Sequence, residues 1–90
     1  MAITFDPSKR ERTLTQRGLD FAEAAGVLDG PNFEFVDERH DYGEVRITTV
    51  GLLRGRMVVV VWTQTGEDCH IISMRKANER EYERYAKRLD

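Results

Sequence analysis

The apolar positions in the last third of the chain set the architecture. Met57-Val58-Val59-Val60-Val61-Trp62 is an unbroken apolar run. Successive β-branched residues of this kind read as a strand buried on both faces, at the centre of a sheet. Before it, residues 44–50 alternate, with Val45, Ile47 and Thr49 on one side and Glu44, Arg46 and Thr48 on the other. That two-residue period is a strand with one wet face. After it, residues 69–76 form a further strand that ends in the cation pair Arg75-Lys76. Leu53-Arg54-Gly55-Arg56 and Gln64-Thr65-Gly66-Glu67 supply the turns, so the three strands read as an antiparallel meander. Phe33-Glu34-Phe35-Val36 adds a short strand, followed by a polar loop from Asp37 to Tyr42, and Ala2 to Phe5 adds a short edge strand.

Three segments carry helix signals instead. Asp6-Pro7 opens the first, because Asp caps free amides and Pro suits the first helical position. It runs to about Arg17, where Gly18 stops it. Leu14 is its one large apolar residue, so this helix buries little and its basic side chains face water or a ligand. Asp20-Phe21-Ala22-Glu23 has the pattern of a capping box. Phe21, Ala24, Ala25 and Leu28 then form one apolar stripe, Leu19 can staple onto Ala24, and Gly30-Pro31 ends the helix. Asn78-Glu79-Arg80-Glu81 caps the last helix. Its acids lie in the first turn and Lys87 and Arg88 in the last, as the helix dipole favours. Its apolar stripe is Tyr82, Tyr85, Ala86 and Leu89. Helices grouped before and after a run of strands indicate an α+β domain with the helices on one face of the sheet.

Composition narrows the class. Ninety residues, 33% charged and 40% apolar, describe one soluble globular domain, residues 1–90. No apolar stretch approaches the roughly 20 residues of a membrane helix, and Met1-Ala2-Ile3-Thr4-Phe5 is not a signal peptide. The single cysteine, Cys69, excludes an internal disulfide and fits a reducing cytoplasm, where it reads as a small core side chain. His40 and His70 lack metal-ligand spacing, so no metal or other cofactor is expected.

The net charge of −2 is unevenly spread. Residues 1–18 carry Lys9, Arg10, Arg12 and Arg17 against two acids, and residues 45–66 carry Arg46, Arg54 and Arg56 against none. Residues 19–44 carry eight acids against Arg39. A basic face is therefore compatible with an acidic chain if the acidic stretch folds away from it.

The residues also carry a resemblance. Phe5-Asp6-Pro7-x-Lys9, Gly18-x-x-Phe21-x-x-Ala24, Glu44-x-Arg46, the valine strand, Ile71-Ile72-Ser73-x-Arg75-x-Ala77 and Glu81-x-x-x-Tyr85 resemble, in order and spacing, the BrnT toxins of bacterial type II toxin–antitoxin systems. The resemblance covers about residues 3–86. It implies a RelE-like fold, an antiparallel sheet of four to five strands with two N-terminal helices and one C-terminal helix. It implies ribonuclease activity that arrests translation. It also implies neutralisation by a BrnA-type antitoxin, a dimeric ribbon-helix-helix protein that forms a heterotetramer with the toxin and brings it to DNA only indirectly. The chain departs from the family where BrnT toxins commonly read Asn-x-x-Lys-His-Gly: the matching positions are Thr13, Gln16, Arg17 and Gly18. The Lys-His pair has become Gln-Arg, and a guanidinium is a poor acid at neutral pH.

Metal-independent RNA cleavage needs a base for the 2′-hydroxyl, a cation for the charge on phosphorus, and an acid or cation for the departing 5′-oxygen. Arginine is the natural phosphate holder because its fork matches two oxygens. Arg75 and Arg46, on strands, are the leading candidates, with Glu44 as the carboxylate base. Lys9, Arg17 and Lys76 are candidates for gripping the RNA backbone, and Tyr82 and Tyr85 for stacking on a base. Each has a structural alternative. Glu44 and Arg46 form an exposed ion pair, Arg75 supports the adjacent loop, the tyrosines belong to the core, and His70 is a strand residue with a satisfied ring. Two other functions fit the same residues: a catalytically weak relative that only binds antitoxin, and a non-catalytic RNA-binding protein.

Overall fold

The computed structural model describes residues 2–37 and 44–89. Along the chain run β1 (Ile3–Phe5), α1 (Pro7–Arg17), a 3-10 turn (Phe21–Glu23), α2 (Ala24–Asp29), β2 (Asn32–Asp37), β3 (Arg46–Leu53), β4 (Arg56–Thr65), β5 (Asp68–Lys76) and α3 (Glu79–Leu89). The class is α+β. The strands form one five-stranded sheet in the order β1-β5-β4-β3-β2. The valine strand is its centre, as its two-sided apolarity requires.

Both faces of β4 are covered. Val58, Val60 and Trp62 pack with Phe21, Ala24, Val27, Ile71 and Met74, under α2 and the 3-10 turn. Val59 points the other way and packs with Val50, Tyr85 and Leu89, under α3. The expectation that all helices share one face is therefore corrected. A strand with no polar face cannot leave either side to water without a cost of about 25 cal/mol per Å² of apolar surface.

The meander is confirmed by the antiparallel pairs β2–β3, β3–β4 and β4–β5. The β3–β4 hairpin turns on Arg54 (φ 50°) and Gly55 (φ 76°), the doubly left-handed geometry of a tight two-residue turn. The edge strand β1 differs from the antiparallel expectation. It pairs parallel to β5, Ile3 with Cys69 and Phe5 with Ile71, so the sheet is mixed. Residues about 66 apart make this pair, a distance at which local pattern carries no pairing signal.

The second helix also starts differently. Asp20 Oδ1 accepts from the Ala22 amide at 2.9 Å and caps a 3-10 turn, with α2 beginning only at Ala24. Glu23 does not close a capping box. Its carboxylate accepts from Arg54 instead. A true capping box opens α3, where the Glu81 amide donates to Asn78 Oδ1 at 2.8 Å and the Asn78 amide to Glu81 Oε1 at 3.0 Å. Beyond Asp37, the polar loop expected to run to Tyr42, with His40, lies outside the described residues.

Candidate active site

α1 is an unusual helix: none of its residues is buried. Its ends are well made. Asp6 Oδ1 accepts from the Ser8 amide at 2.8 Å, and Gly18, at φ 70°, donates to the Leu14 carbonyl. With no core to hold it, α1 is fastened by polar contacts. Arg10 donates twice to Asp20, at 2.7 and 2.9 Å, and its guanidinium lies 5.6 Å from the Phe5 ring centroid. Arg17 donates to the Met74 carbonyl of β5 at 3.0 Å. Of the other polar positions, Lys9, Arg12, Thr13 and Gln16 recur at helical spacing and form one stripe.

That stripe is one wall of a cleft of about 460 Å³. Val61, Ile72 and Ser73 line it from β4 and β5, and Asp37 and Arg46 from β2 and β3. A bulge shapes the β5 side. Val61 pairs with Ser73 but Trp62 pairs with Ile71, which leaves Ile72 as the extra residue. Such a bulge re-aims side chains locally, and here both Ile72 and Ser73 reach the cleft. Lys9, Arg12, Arg17 and Arg46 face a single carboxylate, Asp37, among the lining residues. The cleft is strongly cationic although the chain is not.

Around this cleft the expected site residues separate. Arg46, Lys9 and Arg17 meet in it. Glu44 precedes β3 and is not on the strand as expected. Its Oε1 lies 3.5 Å from Arg46 Nε with its side chain 44% exposed, while that of Arg46 is 24% exposed, so the two are ion-paired at the start of β3. Arg75 shares the Arg46 face of the sheet, since Val50 on β3 pairs with Val59, which pairs with Arg75. Its guanidinium makes a two-pronged contact with Glu81, at 2.7 and 2.9 Å, which binds the end of β5 to the first turn of α3. It holds the Glu81 carboxyl below its usual range. Lys76 and Tyr82 lie away from the cleft, in a separate depression beside the β3–β4 turn. The apolar stripe of α3 is narrower than expected, because Tyr82 is 58% exposed. Tyr85 is placed in the core, with its ring 5.1 Å from that of Phe33. Its burial leaves no ring face for a base. His70 Nδ1 lies 2.8 Å from Thr4 Oγ1 on the paired strand β1, the satisfied ring of the structural reading. Cys69 is buried, and burial pushes its thiol pKa up.

Sequence reasoning missed Arg12, Asp37 and Ser73. The helical spacing of Arg12 three residues after Lys9 was a usable signal. Asp37 was assigned to a loop, and only its pairing with Arg46 brings it here.

The model of the family described as "Ribonuclease toxin, BrnT, of type II toxin-antitoxin system" matches residues 5–81. The chain belongs to the BrnT family. A search of curated proteins finds no match to it. Membership makes this a ribonuclease toxin of the type II class and implies an antitoxin partner. The matched span contains every residue that lines the cleft. Gln16 and Arg17, at the positions of the common BrnT Lys-His pair, both line the cleft as well. No helix among the described residues is long and apolar enough to cross a membrane.

Proposed function

We propose that the cleft between α1 and the sheet cleaves RNA, and that cleavage of messenger RNA is how this chain inhibits translation. The observation that carries the reading is the convergence of four cations, from one helix and one distant strand, on a single concave site. Arg46, held from β3, grips the scissile phosphate with its planar fork. A carboxylate of the pair that brackets Arg46, Asp37 or Glu44, takes the 2′-hydroxyl proton. The 2′-oxygen then bonds to phosphorus, the bond to the 5′-oxygen breaks, and a 2′,3′-cyclic phosphate forms. Arg12 and Arg17 stabilise the charge gathering on phosphorus. Lys9, the ammonium among the lining residues, protonates the departing oxygen. These groups fill the three roles without a metal ion. Arg75 acts as a positioning residue, by fixing β5 against α3.

The test is cleavage of a defined RNA by the purified chain in the presence of chelator. Arg46→Ala should lower kcat by about 100-fold, the scale of losing one transition-state donor, with an unchanged melting temperature. Arg75→Ala should lower the melting temperature as well as the rate. Full activity of Arg46→Ala would remove the cleft from the mechanism.

The replacement of Lys-His by Gln16-Arg17 favours a second reading, a catalytically weak toxin kept for antitoxin binding and operon control. It predicts that Gln16→Lys combined with Arg17→His raises cleavage. An unaltered rate would count against it. For either reading the partner proposed is a dimeric ribbon-helix-helix antitoxin of the BrnA type, in a heterotetramer whose contact with DNA is made through the antitoxin.

A further inference from the structure

The depression beside the β3–β4 turn, about 470 Å³, is another cationic concavity. Arg54, Arg56 and Lys76 line it, and among the described residues no acid does. Arg54 is partnered by Glu23 with its side chain 71% exposed. The same depression holds Tyr82, a residue 58% exposed. α3 is otherwise sharply two-sided, with Tyr85 and Leu89 buried. Packing therefore does not account for a large aromatic left in water among three cations. A charged groove with an exposed ring is the arrangement that holds single-stranded nucleic acid, since every base offers a flat face to stack.

The two concavities are joined. A shallow surface lined by Gln16, Arg17, Arg75 and Lys76 shares Gln16 and Arg17 with the cleft and Lys76 with the depression. Along β4, Val61 in the cleft and Arg56 in the depression are five residues apart, about 17 Å at strand rise. We propose that single-stranded RNA leaving the cleft crosses Arg17 and Lys76 and enters a second binding subsite, where Arg54, Arg56 and Lys76 hold its backbone and Tyr82 stacks on a base. The subsite rests on the reading of the cleft as the cleavage site and extends the recognised substrate from a dinucleotide step to a longer single strand.

The experiment is fluorescence anisotropy with labelled oligouridine, a dinucleotide against a strand of about ten bases, which matches the size of common single-strand sites. The whole chain is used, with a non-cleavable 2′-methoxy backbone. The longer strand should bind the wild type more tightly. Tyr82→Ala should weaken its binding about 5-fold to 100-fold, the scale of losing one stacked base, and narrow the gap to the dinucleotide. Arg56→Ala with Lys76→Ala should flatten the salt dependence by about 1.4 in log–log slope, roughly 0.7 per lost phosphate contact. All three residues are exposed, so the folded state is checked by circular dichroism. Wild-type affinity of these variants for the long strand, with Arg46→Ala weakened, overturns the subsite and spares the cleft. Retained RNA affinity together with lost antitoxin binding makes the surface a protein interface, and also overturns it. No binding of either RNA by the wild type removes both readings.

Discussion

Asp20 shows how one carboxylate couples two segments. It accepts from Arg10 through both oxygens and from the Ala22 amide, so it holds α1 and caps the following turn together. The Arg10 hydrogen bonds first, and the amide second, lower its pKa from 3.8 to about 2. A depressed carboxylate pKa means that the folded state binds the proton less well than the unfolded one. The stabilisation is therefore complete above about pH 4 and is lost as pH falls towards about 2. Asp20→Asn retains an oxygen for the cap but loses the ion pair. It should cost about 1 kcal/mol at neutral pH, a modest value because Arg10 is 42% exposed. Urea unfolding should show that difference vanishing in acid. A penalty that stays constant with pH would mean the ion pair contributes nothing.

α1 is the element where stability and function part company. It contributes no buried side chain and is held by Arg10, Arg17 and its caps, while its polar stripe forms one wall of the cleft. Secondary structure without a core contact opens more easily than the sheet it rests on. Amide hydrogen exchange should therefore be faster across Lys9–Arg17 than across Val58–Val61 of β4. Arg17→Ala, which removes the contact to Met74, should speed exchange in α1 while leaving β4 unaltered. Equal protection of the two elements would show that α1 opens only when the whole domain unfolds. The caps, periodicity and stop signal of this helix were legible in its residues, because they act within one or two turns. Its contact with β5 was not, since Arg17 and Met74 are 57 residues apart.

For the molecule as a whole, the net charge of −2 argues against nucleic acid, but the fold gathers four cations around one carboxylate, Asp37, among the residues lining the cleft. Lys9, Arg12, Arg17 and Arg46 share one concavity, while Asp20 and Glu23, from the acidic stretch, are engaged by Arg10 and Arg54. Binding of RNA should therefore be measurable at low salt, with a log–log slope of about −3 for four phosphate contacts in the cleft. A slope near zero would show that the cations do not meet phosphates. The same folding decides where each arginine sits. Arg46 and Arg75 looked alike as strand arginines. Both have a carboxylate beside them, Glu44 and Glu81, but only Arg46 lines the cleft.

Local forces act over a few residues, so the strands, the caps of α1 and α3, the central place of β4 and the BrnT family signature were legible in the residue order. Parallel pairing of β1, cover on both faces of the sheet, the bulge at Ile72 and the meeting of residues 9–17 with Asp37, Arg46 and Ser73 were decided by the tertiary structure alone. Those contacts join segments tens of residues apart. Their geometry is set by strand register and helix docking, which no local pattern encodes.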